Sequence, residues 1–282
     1  MPGPRPTHRL VATGVAALLA AVGLFSLPSD PAGAAVTPHQ GFRATVDGFT
    51  SWYGSYAMGP IGTAWCIDHG IAAPDPAYRY VPTDLPQVPA ATRTAVAWAL
   101  GRHGHGADPV THAALMLVLH DLMGATYPSG RLDVHRLRAE RLAGFRGHEA
   151  EVLRRARYLK GEALARGVLQ GPLRLDVSLR PAPDGTATAT ARLRDGADRP
   201  VPAVEVELRG LPGGPIAGRT GADGTWRTDG HRVTGPVTAR AVAIVPRLSI
   251  EAWAPTTRRA QRVARPATER LEAIARLAPP PT

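Results

Sequence analysis

Apolar positions change their period repeatedly along the chain. A long apolar run, Leu10 to Leu27, diluted by Gly14 and Gly23, comes first, followed by short apolar and aromatic runs such as Phe42 to Val46 and Trp52 to Met58, broken by Gly and Pro. These breaks predict short strands and loops over residues 36–85. From Pro89 the spacing becomes helical: Ala95, Val96, Trp98, Ala99 and Leu100 predict a helix stopped by the glycines of GRHGHG, residues 101–106. Asp108-Pro109 then supplies an N-cap and an N1 proline. The helix that follows is apolar on nearly every face from Ala113 to Met123, which predicts the buried centre of a first module. Two charged helices are expected next, Asp133 to Phe145 and Glu149 to Arg166. In the latter, Val152, Leu153, Ala156, Leu159, Ala163 and Leu164 fall near one stripe.

After Gly167 the period drops to two. Leu173, Leu175, Val177 and Leu179 alternate with Arg174, Asp176, Ser178 and Arg180. Further strands are predicted at Thr186 to Leu193, Val204 to Leu208, Ile216 to Thr220, Thr225 to Thr228, Val237 to Val245 and Leu248 to Trp253, between turn signals such as PDG and ADG. Short strands at this spacing describe a β-sandwich. The remaining Arg- and Pro-rich tail is expected to be mobile, with a short helix from Ala267 to Leu277. The fold class expected is α+β: a mixed α/β module over residues 35–130, a helical connector over 131–167, an all-β sandwich over 168–254 and a basic tail over 255–282.

The first run has Arg5, His8 and Arg9 before it and Ala32-Gly33-Ala34 after it. Basic, apolar and small segments in that order predict a signal peptide over residues 1–34, removed after Ala34. No later stretch is apolar for as long, so no membrane span is expected once it is gone, and the mature chain is expected to be secreted and associated with the cell envelope. Lys and Arg outnumber Asp and Glu by 33 to 23, and nearly all the cations are Arg, with a single lysine at Lys160. Richness in Ala, Arg, Gly and Pro fits a high-GC bacterial genome. The charge favours a cell-wall or surface macromolecule that is anionic. Cations are not interleaved with aromatics, so no nucleic acid is expected. The oligomeric state stays open.

Cys66 is the single cysteine and lies in AWCIDHG, residues 64–70. An exported chain with one thiol closes no internal disulfide, so the sulfur is buried, bridged to another molecule or held for chemistry. YGSYAMGPIGTAWCIDHGIAAP, residues 53–74, resembles the Cys-bearing segment of thioester domains in Gram-positive surface proteins, and DPVTHAALMLVLHDLMG, residues 108–124, resembles the helix that carries Thr-Gln-x-Ala in them. The region holding PVPAVEVEL and TGADGTWRT resembles their Ig-like or prealbumin-like modules. The resemblance implies a cysteine sulfur that attacks a glutamine carboxamide, with an internal thioester as the product. In that helix, however, His112 or Met116 takes the glutamine's place, and neither has an acyl carbon. The implied protein is a degenerate member that binds a surface without catalysis or crosslinking. Cys66, Trp65 and Asp68 are its candidate binding residues, and Trp226 is a candidate glycan contact.

Three alternatives remain from the residues. A relocated partner among Gln40, Gln87, Gln170 and Gln261 would restore covalent adhesion. A cysteine hydrolase acting on wall peptides would need Cys66 with a histidine such as His112 or His120, drawn from a set that includes His69, His103 and His105, and Asp68, Asp108 or Asp121 to orient it. A third class is an envelope protein dimerised through Cys66. His112 and His120 are eight residues apart on one helix, about 12 Å, too far for one ion, and His103-x-His105 lies in a glycine loop where only Cys66 or a carboxylate could complete a site; no metal and no other cofactor is expected.

Overall fold

The computed structural model describes residues 36–232, 235–257 and 259–277; the expected signal peptide lies outside them. The protein is α+β and mainly sheet, with three helices among the described residues. A hairpin of two long strands, β1 (Val36–Val46) and β2 (Phe49–Met58), turns on Asp47-Gly48. Both turn residues have positive φ, 50° and 82°, as a two-residue hairpin loop demands. Next come β3 (Thr63–Cys66) and β4 (Tyr80–Thr83), then helices α1 (Ala90–His103) and α2 (Pro109–Leu122). Asp108 caps α2 as its sequence predicts, accepting from the Val110 and Thr111 amides at 3.1 and 3.3 Å. Val110 and nearly every residue from His112 to Asp121 are buried, with the sheet of β1 and β2 on one side and the later helix α3 (Glu149–Arg166) on another.

Residues 133–145 are not the helix their charge pattern predicts. They make turns and one short strand between the small ladder β5 (Thr126–Tyr127) with β6 (Gly130–Arg131) and helix α3; that strand, β7 (Leu142–Ala143), pairs with β1. Asp133 turns the chain by accepting from the His135 amide, while Arg157 on α3 takes the carbonyls of Val134 and Leu137 that a helix would have used. Helix α3 itself is no free connector. Its stripe of Val152, Leu153, Ala156, Leu159 and Ala163 belongs to the core of the first module.

Beyond α3 the chain forms β8 (Arg174–Pro181), β9 (Thr186–Arg194), β10 (Glu205–Arg209), β11 (Ile216–Arg219), β12 (Thr225–Arg232) and β13 (Val237–Pro246). These six match the predicted strands. The C-terminal part departs from expectation most sharply. β14 (Glu251–Pro255) and β15 (Val263–Arg265) return to the first module and complete a seven-stranded sheet in the order β4-β14-β15-β3-β2-β1-β7. Two residues later the chain crosses back as β16 (Thr268–Leu277), which pairs with β13 along its whole length. Sheet β11-β10-β13-β16 and sheet β12-β9-β8 share one core that includes Leu175, Ala189, Leu193, Val206, Leu208 and Ala241. The segment from 255 is therefore structural in both halves. Its expected helix is a strand, and the run Leu248 to Trp253 serves the first sheet.

Candidate functional site

Cys66 ends β3 at the middle of the seven-stranded sheet, and alternation along the strand decides what it can touch. Trp65 points towards α2: its indole NH donates to the His112 carbonyl at 3.1 Å and its ring lies 4.8 Å from the imidazole. Cys66 therefore points to the opposite face. It is 2% exposed, and burial, reinforced by Asp68, pushes its thiol well above the usual range. Tyr56 and Tyr80 lie on the same side. Burial first, and then the nearby sulfur, raise both phenols.

Helix α2 thus does not supply a partner for the thiol. His112 is held in the core, with Nδ1 2.8 Å from the Ser55 hydroxyl and Nε2 2.8 Å from the Gly106 carbonyl; burial lowers its pKa. Its Nε2–H donates to the carbonyl, so Nδ1 accepts from Ser55. His120 bonds the Tyr127 hydroxyl through Nδ1 at 2.8 Å, and burial, with His69 beside it, lowers its pKa from 6.5 to about 3. His69 stacks on Tyr127 with ring centroids 4.0 Å apart. His103 pairs with Glu162 at 2.8 Å. The structure does not bring the histidines at 112 and 120 to Cys66, and a hydrolase of Cys66 with either has no geometry. Among the described residues no three His, Cys, Asp or Glu side chains gather as metal ligands.

What does reach the thiol comes from the segment expected to be a mobile tail. β15 pairs with β3, setting Val263 opposite Cys66 and Ala264 opposite Trp65. The Ile67 amide donates to the Arg262 carbonyl at 3.0 Å, and Asp68 clamps Arg262 from its backbone amide at 2.8 Å and its guanidinium at 2.6 Å. Asp68 thus binds a distant strand rather than a local turn. Gln261 stands two residues before Val263, just outside β15. It is 5% exposed. Its amide Nε2 donates to the Ile71 carbonyl at 2.9 Å, its backbone amide donates to the Ala72 carbonyl at 3.0 Å, and its carbonyl accepts from the Tyr80 hydroxyl at 3.3 Å.

The chain has four glutamines and no asparagine. Gln40 lies on β1, Gln87 lines a cleft, and Gln170 bonds Asp195 through its backbone amide. Gln261 alone of the four is buried, and it lies on the strand approach to Cys66. The sequence places this residue in a mobile tail, and its burial before β15 departs from that expectation. Local sequence carried no signal for it, because the pairing spans 197 positions between Cys66 and Val263.

A cleft of 920 Å³ opens beside the clamp, lined among others by Phe49, Asp68, His69, Ile71, Arg131 and Arg262. Ile71, whose carbonyl holds the Gln261 amide, is itself exposed at the rim. Trp226 is half-buried against the second core, with its indole over Gly218, so it is no free glycan platform.

No family model matches the chain, and no curated protein matches it. Among solved structures, the crystal structure of MtrC from Shewanella baltica OS185 overlaps with 11% sequence identity and a TM-score of 0.24. The match takes in 48% of this chain and 28% of that one, a likeness on which nothing further rests.

Proposed function

We propose that this is an exported envelope protein that attaches covalently to a surface macromolecule through an internal thioester between Cys66 Sγ and the side-chain carbonyl of Gln261, carried by a thioester-domain-like module with an Ig-like sandwich behind it. The observation that carries this reading is the burial of one carboxamide on the strand approach to the lone thiol, both fixed by the Asp68–Arg262 clamp. In forming the bond, the sulfur adds to the amide carbon, its proton passes to the leaving nitrogen and ammonia departs. An amine on the target then attacks the same carbon. The C–S bond breaks, a new amide forms and Cys66 recovers its proton. Burial disfavours a free thiolate, so the drive comes from holding the two groups together rather than from an acidic thiol. The same burial keeps water from the ester.

Intact mass tests the proposal. The protein should weigh about 17 Da less than its sequence, the mass of the ammonia lost, and should gain methylamine on incubation. Cys66→Ala and Gln261→Ala should each abolish the methylamine adduct. A wild-type mass equal to the sequence, with a thiol that resists iodoacetamide until unfolding, overturns it and leaves a non-covalent binder of the same surface.

A further inference from the structure

Resting on the thioester reading above, we infer that the chain is built to be unreactive towards its own thioester, so that the acceptor amine must come from another molecule. Lys160 is the one lysine, whereas arginines cover the protein: of 33 cationic residues, 32 are guanidinium. A guanidinium stays protonated throughout the physiological pH range and is no acyl acceptor, while an exposed lysine amine is a nucleophile. Charge is thus kept while exposed side-chain amines are removed. Arg131 and Arg262 at the cleft beside Gln261 follow the same rule.

The exception is itself locked away. Lys160 sits on α3 with its side chain 14% exposed, and its ammonium lies 2.8 Å from Asp121 and 3.2 Å from Asp133. Asp121 is buried and also accepts from the Val134 amide at 2.8 Å. The two carboxylates engage the amine in ion pairs and the fold covers most of its side chain, so an incoming carbonyl has little access to it. Had this lysine stood on an exposed sheet face, two molecules meeting at the cleft would couple: the amine would attack the Gln261 carbonyl carbon, Cys66 would leave as the thiol, and an amide would join the chains.

The experiment restores exposed lysines far from the site. Arg180, Arg192 and Arg227 are exposed on β8, β9 and β12 of the three-stranded sheet, with no role in the clamp. The triple variant Arg180→Lys, Arg192→Lys and Arg227→Lys should form SDS-resistant oligomers on concentration, and the same variant carrying Cys66→Ala should stay monomeric in SDS. Wild type should stay monomeric while still taking up methylamine. If wild type takes up methylamine and the lysine variant forms no oligomers under the same conditions, the inference falls and the arginine surface is compositional. If wild type takes up no methylamine, the thioester reading itself has failed.

Discussion

The Asp68–Arg262 pair illustrates how one side chain can set the position of another pair of groups. The carboxylate receives both the backbone amide and the guanidinium of Arg262, and thereby fixes the register of the chain that carries Gln261 against the strand that carries Cys66. Asp68→Ala should lower stability by about 2 kcal/mol, the usual scale for hydrogen bonds to a charged group, and should slow methylamine uptake more than Asp68→Asn, which keeps an acceptor. Urea unfolding and timed mass spectra would check both. Burial acts on His120 with the opposite consequence. Its folded pKa is depressed from 6.5 to about 3, so the unfolded chain binds the proton more readily than the folded one. The stability it contributes is complete above about pH 6.5 and is lost as pH falls towards 3. Urea midpoints should therefore drop between pH 7 and pH 4.5, and His120→Gln should flatten that drop.

Among the elements, the long β1–β2 hairpin depends on two glycines that face each other across the ladder. Gly41 and Gly54 have φ of 142° and 153°, and a Cβ on Gly54 would overlap the Gln40 carbonyl. Gly54→Ala should cost more than about 1 kcal/mol, read as a lowered melting temperature, because both the backbone region and the space are closed to it. The same scale shows what the sequence could and could not reveal. Helices α1, α2 and α3 carry their own stop signals, caps or stripes, and β8 to β13 carry alternation and turn residues, so local patterns suffice for them. The strand β16 does not announce itself: ATERLEAIARL is rich in helix formers, and only pairing with β13 turns it into a strand with Leu271 and Ala273 facing inwards and Ile274 outwards. Residues 133–145 show the reverse case, in which carbonyl capture by Arg157 overrides a helical charge pattern. The thiol's isolation from α2 was legible in part, since a histidine replaces glutamine there. The burial of Gln261 ahead of β15 was not, because it arises from sheet order.

For the whole molecule, that sheet order ties the two cores together. β15 lies in the first sheet and β16 in the second, with Pro266 and Ala267 alone between them. Trp98 of α1 lies in the second core, and Gly101 on the same helix leaves room for the backbone around Pro246 and Ala267. Unfolding should accordingly be one cooperative transition, with fluorescence and far-UV circular dichroism coinciding in urea. A chain stopped after Pro255 would strip a strand from the seven-stranded and from the four-stranded sheet and expose the edges of β3 and β13, and it should fail to give a soluble protein.

The short passage from β15 to β16 also has a mechanical meaning. A tug on a partner bonded at Gln261 would enter the chain next to β15 and travel through Pro266 and Ala267 into β16, where ten residue pairs with β13 lie side by side. A load running along that ladder strains its rungs together instead of opening them singly, so a partner bonded as the thioester proposal has it would pull on the far half of the protein as well as on its own sheet.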